Sequence, residues 1–226
     1  MTSTAPIATS TTPAAPSQTP GSGTFGEWLS TGNNRWIAAG GGLLAVALIV
    51  VFLLWGAQRK EIFAARALDE ARTTAEAGNL PLAASQFQKL ITTYAGTDAA
   101  DEAVMALNQV RLINGQAQLA AGGLNEFIKS GPKAKYLAPA QALLGSALEN
   151  SNKPLEAAAA FEAAVKDARF PFLKAEYLLQ AGLAYETAGK PDQAATAYRT
   201  IVTEYKSQPS YTEAAVRLSE LTGGKM

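Results

Sequence analysis

The sequence predicts an all-α protein, in which one N-terminal transmembrane helix precedes an α-solenoid of about four 37-residue helical hairpins plus a capping helix. Two observations predict it. Ala83, Ala120, Ala157 and Ala194 recur at a fixed step of 37 residues, each followed four positions on by a bulky side chain: Phe87, Leu124, Phe161 and Tyr198. A fixed period of this size means one helical supersecondary unit stacked several times, each too small to bury its apolar face alone. The second observation is the run 36–58, which holds no charged residue.

Residues 1–24 come first, made of Thr, Ser, Ala, Pro, Gln and Gly among a few apolar residues, without a charge. Such a stretch buries too little apolar surface to offset its ordering entropy, so it is expected to be a disordered tether; folding on a partner is the other reading. In 25–35, Phe25, Trp28 and Leu29 among polar neighbours suggest a short interfacial segment.

Residues 36–58 would reach about 34 Å as a helix, enough for a hydrocarbon core of about 30 Å. Arg35 and Trp36 at one end, with Trp55, Arg59 and Lys60 at the other, are expected to anchor it at the two headgroup levels. A cleaved signal peptide would have a shorter apolar region behind a basic start, and no Lys or Arg precedes Arg35. Gly41 and Ala45 have the small-x-x-x-small spacing that lets a second helix approach. Arg59, Lys60 and Arg66 follow the span while only Arg35 precedes it, so the charges favour a cytoplasmic C-terminal domain.

From residue 60 onward apolar residues recur at three- and four-residue spacing, which predicts helices over 60–77, 80–94, 98–114, 116–130, 136–150, 154–168, 172–188, 191–206 and 210–222. Gly78, Gly115, Asn152 and Gly189 stand five residues before each repeat alanine and suit the turn inside each hairpin. Pro154 and Pro191 suit a first helical position, where an N–H has no helical partner to lose. Ser210 with Glu213 reads as a capping box, and Gly223-Gly224 as the end of the last helix.

Composition excludes much chemistry. The 226 residues hold no Cys and no His, so thiolate nucleophiles, imidazole bases and the usual zinc ligands are missing. No cofactor, metal or catalytic residue is therefore expected. Lys plus Arg equals Asp plus Glu at 19 each, which gives no footprint for nucleic acid. The pairs Asp69-Glu70 and Asp101-Glu102 are sequence neighbours, which point to different faces of a helix and cannot share a substrate atom.

The pattern resembles the tetratricopeptide repeat family, on Leu144-Gly145, Leu148, Ala157, Phe161 and Ala164, and again on Ala181-Gly182, Tyr185, Ala194 and Tyr198. In the first two repeats Ala71 and Asn108 stand where that family has the glycine of the first helix, and Arg111 where an aromatic is usual. The layout of tail, span and degenerate array is similar to the ancillary subunit of the bacterial Sec translocon. That resemblance implies a bacterial inner-membrane protein with a cytoplasmic N terminus and a periplasmic array, with translocon or envelope-assembly subunits and secreted clients as partners.

The inner side of the solenoid is the expected partner-binding face, at Leu68, Arg72, Glu76, Glu102, Met105, Gln109, Ser146, Glu149, Leu179, Leu183, Glu186 and Glu213. Apolar members of this set can instead pack between repeats, whereas the acids are expected to have no core role. Two functions follow: a membrane-tethered adaptor or chaperone-like subunit that holds client polypeptide, or a structural subunit in which the array is a spacer.

Overall fold

A computed structural model describes residues 34–224, with side chains described at 43, 44, 46–52 and 55–224. The tail 1–24 and most of the interfacial segment 25–35 lie outside the described residues, and so do the side chains of Arg35 and Trp36. The helices are α1 (Asn34–Glu76), α2 (Leu80–Thr93), α3 (Asp98–Ile113), α4 (Ala117–Lys129), α5 (Ala134–Asn150), α6 (Pro154–Asp167), α7 (Pro171–Thr187), α8 (Pro191–Glu204) and α9 (Tyr211–Thr222). Among the described residues there is no strand.

The chain divides between Trp55 and Gly56 into two units. In the first, Leu43, Leu44, Val46, Leu48, Ile49, Val50, Val51 and Phe52 are all exposed. Among the described residues no helix is long and apolar enough to cross a membrane. The expected transmembrane helix 36–58 is thus not found among the described residues.

The second unit is a stack of antiparallel helix pairs: from α2 onward each helix packs on its neighbours in the chain, with α9 packed on α8 as the cap, and α1 joins α2 and α3 through Ala64, Leu68 and Ala71. The turns inside the hairpins explain the periodicity: Gly78, Gly115, Asn152 and Gly189 all adopt left-handed φ, at 83°, 72°, 59° and 69°. Glycine does so without a Cβ penalty, and asparagine is among the few side chains that tolerate it. Pro154, Pro171 and Pro191 open α6, α7 and α8 at the first helical position. Gly223 closes α9 in the left-handed region.

Packing explains the small-and-large alternation. A Cβ added at Gly145 would stand 2.7 Å from the Phe161 ring, and one at Gly182 would fall inside the contact radius of the Tyr198 ring. Each glycine on the first helix of a hairpin thus admits the ring of the second. Phe161 and Tyr198 are 2% and 0% exposed, at the centre of a core spanning α4 to α9, while Phe87 and Leu90 centre a second core from α1 to α3.

The expected capping box at Ser210 and Glu213 does not form. Ser210 is buried in the αR region, not extended as a capping residue would be, and its hydroxyl pairs with Glu176 Oε2 at 3.1 Å. The cap is thereby tied to α7. Helix α5 starts at Ala134, two residues before the expected 136.

A groove across three first helices

Helix α3 presents Glu102, Met105, Gln109 and Ile113 at three- and four-residue spacing, which puts them on one face. That face meets Arg72, Ala75 and Glu76 of α1, Tyr136 and Pro139 of α5, and Leu80 and Phe87 of α2, around a groove of about 590 Å³. The volume falls within the range of roughly 300–1,000 Å³ of ligand-holding clefts. Its floor is apolar, at Phe87 and Val110, both buried. Its rim is mixed: Ile113 is 67% exposed, next to the polar ends of Glu76 and Gln109.

Glu102 joins the three helices. Its carboxylate accepts from Arg72 Nη2 at 2.8 Å and from the Tyr136 hydroxyl at 3.3 Å. The ion pair is half exposed, so it fixes the direction of two side chains more than it stabilises the fold. Burial pushes the Tyr136 hydroxyl above its ordinary pKa.

Beside the groove the repeats are locked by charge. The Glu61 carboxylate accepts from the backbone N–H of Asp98 and of Ala99, both at 3.0 Å, and so caps α3 across one 37-residue step. Asp98 in turn pairs with Lys133 and with Lys135, the latter at 2.6 Å. Those hydrogen bonds, from Lys133 first and then Lys135, hold the Asp98 carboxyl below the usual carboxylate range. Burial pushes neighbouring Asp101 the other way.

Of the residues expected on the inner face, the groove brings together Arg72, Glu76, Glu102, Met105 and Gln109. Leu68 and Leu179 are 4% and 5% exposed and belong to the two cores, so neither reaches a partner. Leu183 packs on the core of α4 to α9. Ser146 and Glu149 lie half-buried on α5, where burial pushes the Glu149 carboxyl up.

Glu186 and Glu213 form a separate cluster. Glu186 accepts the Tyr198 hydroxyl proton and faces Arg217 at 3.8 Å, and Arg217 reaches Glu213 at 3.6 Å. The expectation that the acids have no core role is thus corrected at Glu186, which satisfies the hydroxyl of a fully buried tyrosine. Tyr136, Pro139 and Leu80 line the groove without having been expected there; Pro139 stands one 37-residue step after Glu102, and Tyr136 and Leu80 come from the first turns of α5 and α2. Among the described residues no group of acids could hold a metal ion.

No protein-family model matches the sequence, and no curated protein matches it. Solved structures do match. A crystal structure of MamA is 20% identical, with 72% of this chain and 82% of that chain covered and a TM-score of 0.56. PilF of Pseudomonas aeruginosa is 18% identical, with 73% and 69% covered and a TM-score of 0.56. A tetratricopeptide repeat protein from Parabacteroides merdae is 12% identical, with 71% and 60% covered and a TM-score of 0.58. Together they show a tetratricopeptide-like helical fold.

Proposed function

We propose that the chain is a membrane-tethered protein-interaction scaffold, an adaptor or chaperone-like ancillary subunit of a secretion translocon or envelope-assembly complex, with no catalytic activity of its own. The observation that carries the scaffold is the groove, where an apolar floor at Phe87, Met105 and Val110 lies beside oriented polar groups at Arg72, Glu102 and Gln109. Such a surface suits an extended polypeptide, whose apolar side chains fill the floor while its backbone bonds the rim. The tether rests on the apolar run. Apolar side chains exposed along one helix, from Leu43 to Phe52, suit a non-aqueous surrounding.

In this reading residues 61–226 lie across the bacterial inner membrane from a cytoplasmic N terminus. Clients are captured beside the translocon and held away from water. A second reading makes the array a spacer and assigns partner binding to the span; it is favoured by the closed C-terminal half, where Glu186, Arg217 and Glu213 satisfy one another.

Affinity purification of the full chain from detergent-solubilised membranes separates the two. The adaptor reading expects translocon components together with many secreted polypeptides. A single stoichiometric partner and no clients would favour the spacer and overturn the adaptor.

A further inference from the structure

The turn between α6 and α7 carries two large apolar side chains that belong to neither core. Phe170 and Phe172 are 55% and 51% exposed, and their rings stack with centroids 5.7 Å apart and planes 20° from parallel. Lys166 and Arg169 beside them are exposed, and Lys174 is half-buried one turn into α7. Among the described residues none of these three cations is in an ion pair. The acid of the turn, Asp167, accepts from Gln141 Nε2 at 2.9 Å. A stacked aromatic tip ringed by unpaired cations is therefore presented to the outside.

The 37-residue register says which edge of the solenoid this tip occupies. Glu61 bonds the start of α3, and Asp98 at that start bonds Lys135 at the start of α5. The next position in the same series is Phe172. The edge that carries Phe170 and Phe172 is thus the edge at which Lys60 bonds the Ala95 carbonyl at 2.7 Å, and at which Ile62 and Phe63 are 53% and 52% exposed. Arg59 and Lys60 follow the apolar run directly in the sequence.

We propose that this edge rests on an anionic bilayer surface, with Phe170 and Phe172 inserted at the boundary of headgroups and acyl chains and Lys166 and Arg169 on headgroup phosphates. Rings supply apolar contact at that depth, and cations on long stems reach back to the headgroups. The array would then be held at two points, which fixes its height and the direction of its groove over the membrane. An acidic protein surface would match the cations but would not account for an apolar tip on the edge that carries Lys60 and Glu61, which follow the apolar run in the sequence. The inference rests on the membrane-tether reading above.

The test uses the full chain reconstituted in vesicles of phosphatidylethanolamine and phosphatidylglycerol. The sequence has no cysteine, so Pro171→Cys, between the two rings, takes a single polarity-sensitive dye; Leu155→Cys, at the start of α6 on the opposite edge and 51% exposed, is the control. Brominated acyl chains should quench the dye at 171 several-fold more than at 155. Phe170→Ser with Phe172→Ser should abolish the difference while the protein still floats with the vesicles, and Lys166→Glu with Arg169→Glu should weaken it. A chain that floats but shows equal quenching at 171 and 155 overturns the docking and leaves the tether standing. A chain that does not float overturns both. Undiminished quenching in phosphatidylcholine alone would overturn the role given to the two cations.

Discussion

The side-chain amide of Asn108 occupies the space over Gly123, where an added Cβ would stand 2.8 Å from Asn108 Oδ1. This reverses the arrangement of the later repeats, in which the glycine lies on the first helix and the ring on the second. Asn108 is 1% exposed, donates to the Val104 carbonyl at 2.8 Å and accepts from Arg111 Nη1 at 3.0 Å, so the amide cannot move aside without breaking buried hydrogen bonds. Gly123→Ala should therefore cost about 1–3 kcal/mol. Its neighbour Gly122 is the control: nothing lies within 4 Å of an added Cβ, and alanine there should gain about 0.5–1 kcal/mol. Urea melts of the two variants check the pair, and equal effects would contradict the reversal.

Phe161→Ala should cost about 3–5 kcal/mol, because it empties the site between α5 and α6 that Gly145 leaves open. Gly145→Ala approaches the same site from the other side, pushing a methyl against the ring, and should also destabilise. In denaturant melts a loss below about 1 kcal/mol for Phe161→Ala would mean that the ring does not fill this gap.

Alkaline pH should weaken the fold through Tyr185. Burial, with the hydroxyl donating to Glu162 at 2.8 Å, pushes its pKa up to about 12 from an ordinary value of about 10. A raised folded-state pKa means that the folded protein keeps a proton the unfolded chain has lost. The contribution is complete below pH 10 and disappears as pH rises towards 12. The slope of melting temperature against pH in this window should be shallower in Tyr185→Phe than in the parent, measured by circular dichroism.

Much of the fold was legible because it is repetitive. Gly78, Gly115, Asn152 and Gly189 mark turns that need left-handed backbone, and the helix ends follow from them to within two residues or so. What escaped depends on side chains from different helices meeting. Ser210 has the spacing of a capping box with Glu213, yet Glu176, 34 residues earlier, takes its hydroxyl. Leu68 and Leu179 share the register of the inner face but lie at positions where the helix turns them inward. Glu186 looked like a free surface acid because nothing in its local sequence announces Tyr198 and Arg217 as partners. The groove was half visible: five of its residues follow from the register, while Tyr136 and Pro139 enter from the start of the following hairpin.

Membrane topology is open to chemistry at Lys190, which is exposed in the last hairpin turn. With Lys190→Cys as the sole thiol, an impermeant reagent should label cells whose outer membrane alone has been permeabilised. Labelling only after the inner membrane is opened would place the array in the cytoplasm and remove the main support for secreted clients.

The central claim is that the groove across α1, α3 and α5 holds polypeptide, and photo-crosslinking within it is the most direct test. A photoreactive residue replaces Met105, half-buried in the groove, or Leu155, on the outside of α6, in the full chain in native membranes. Position 105 should give light-dependent adducts with other polypeptides, weakened by Arg72→Ala, whose own effect on stability should stay below about 1 kcal/mol because the ion pair is half exposed. Adducts at 155 equal to those at 105, or none at 105 in a chain that keeps its helical melting curve, would contradict the account.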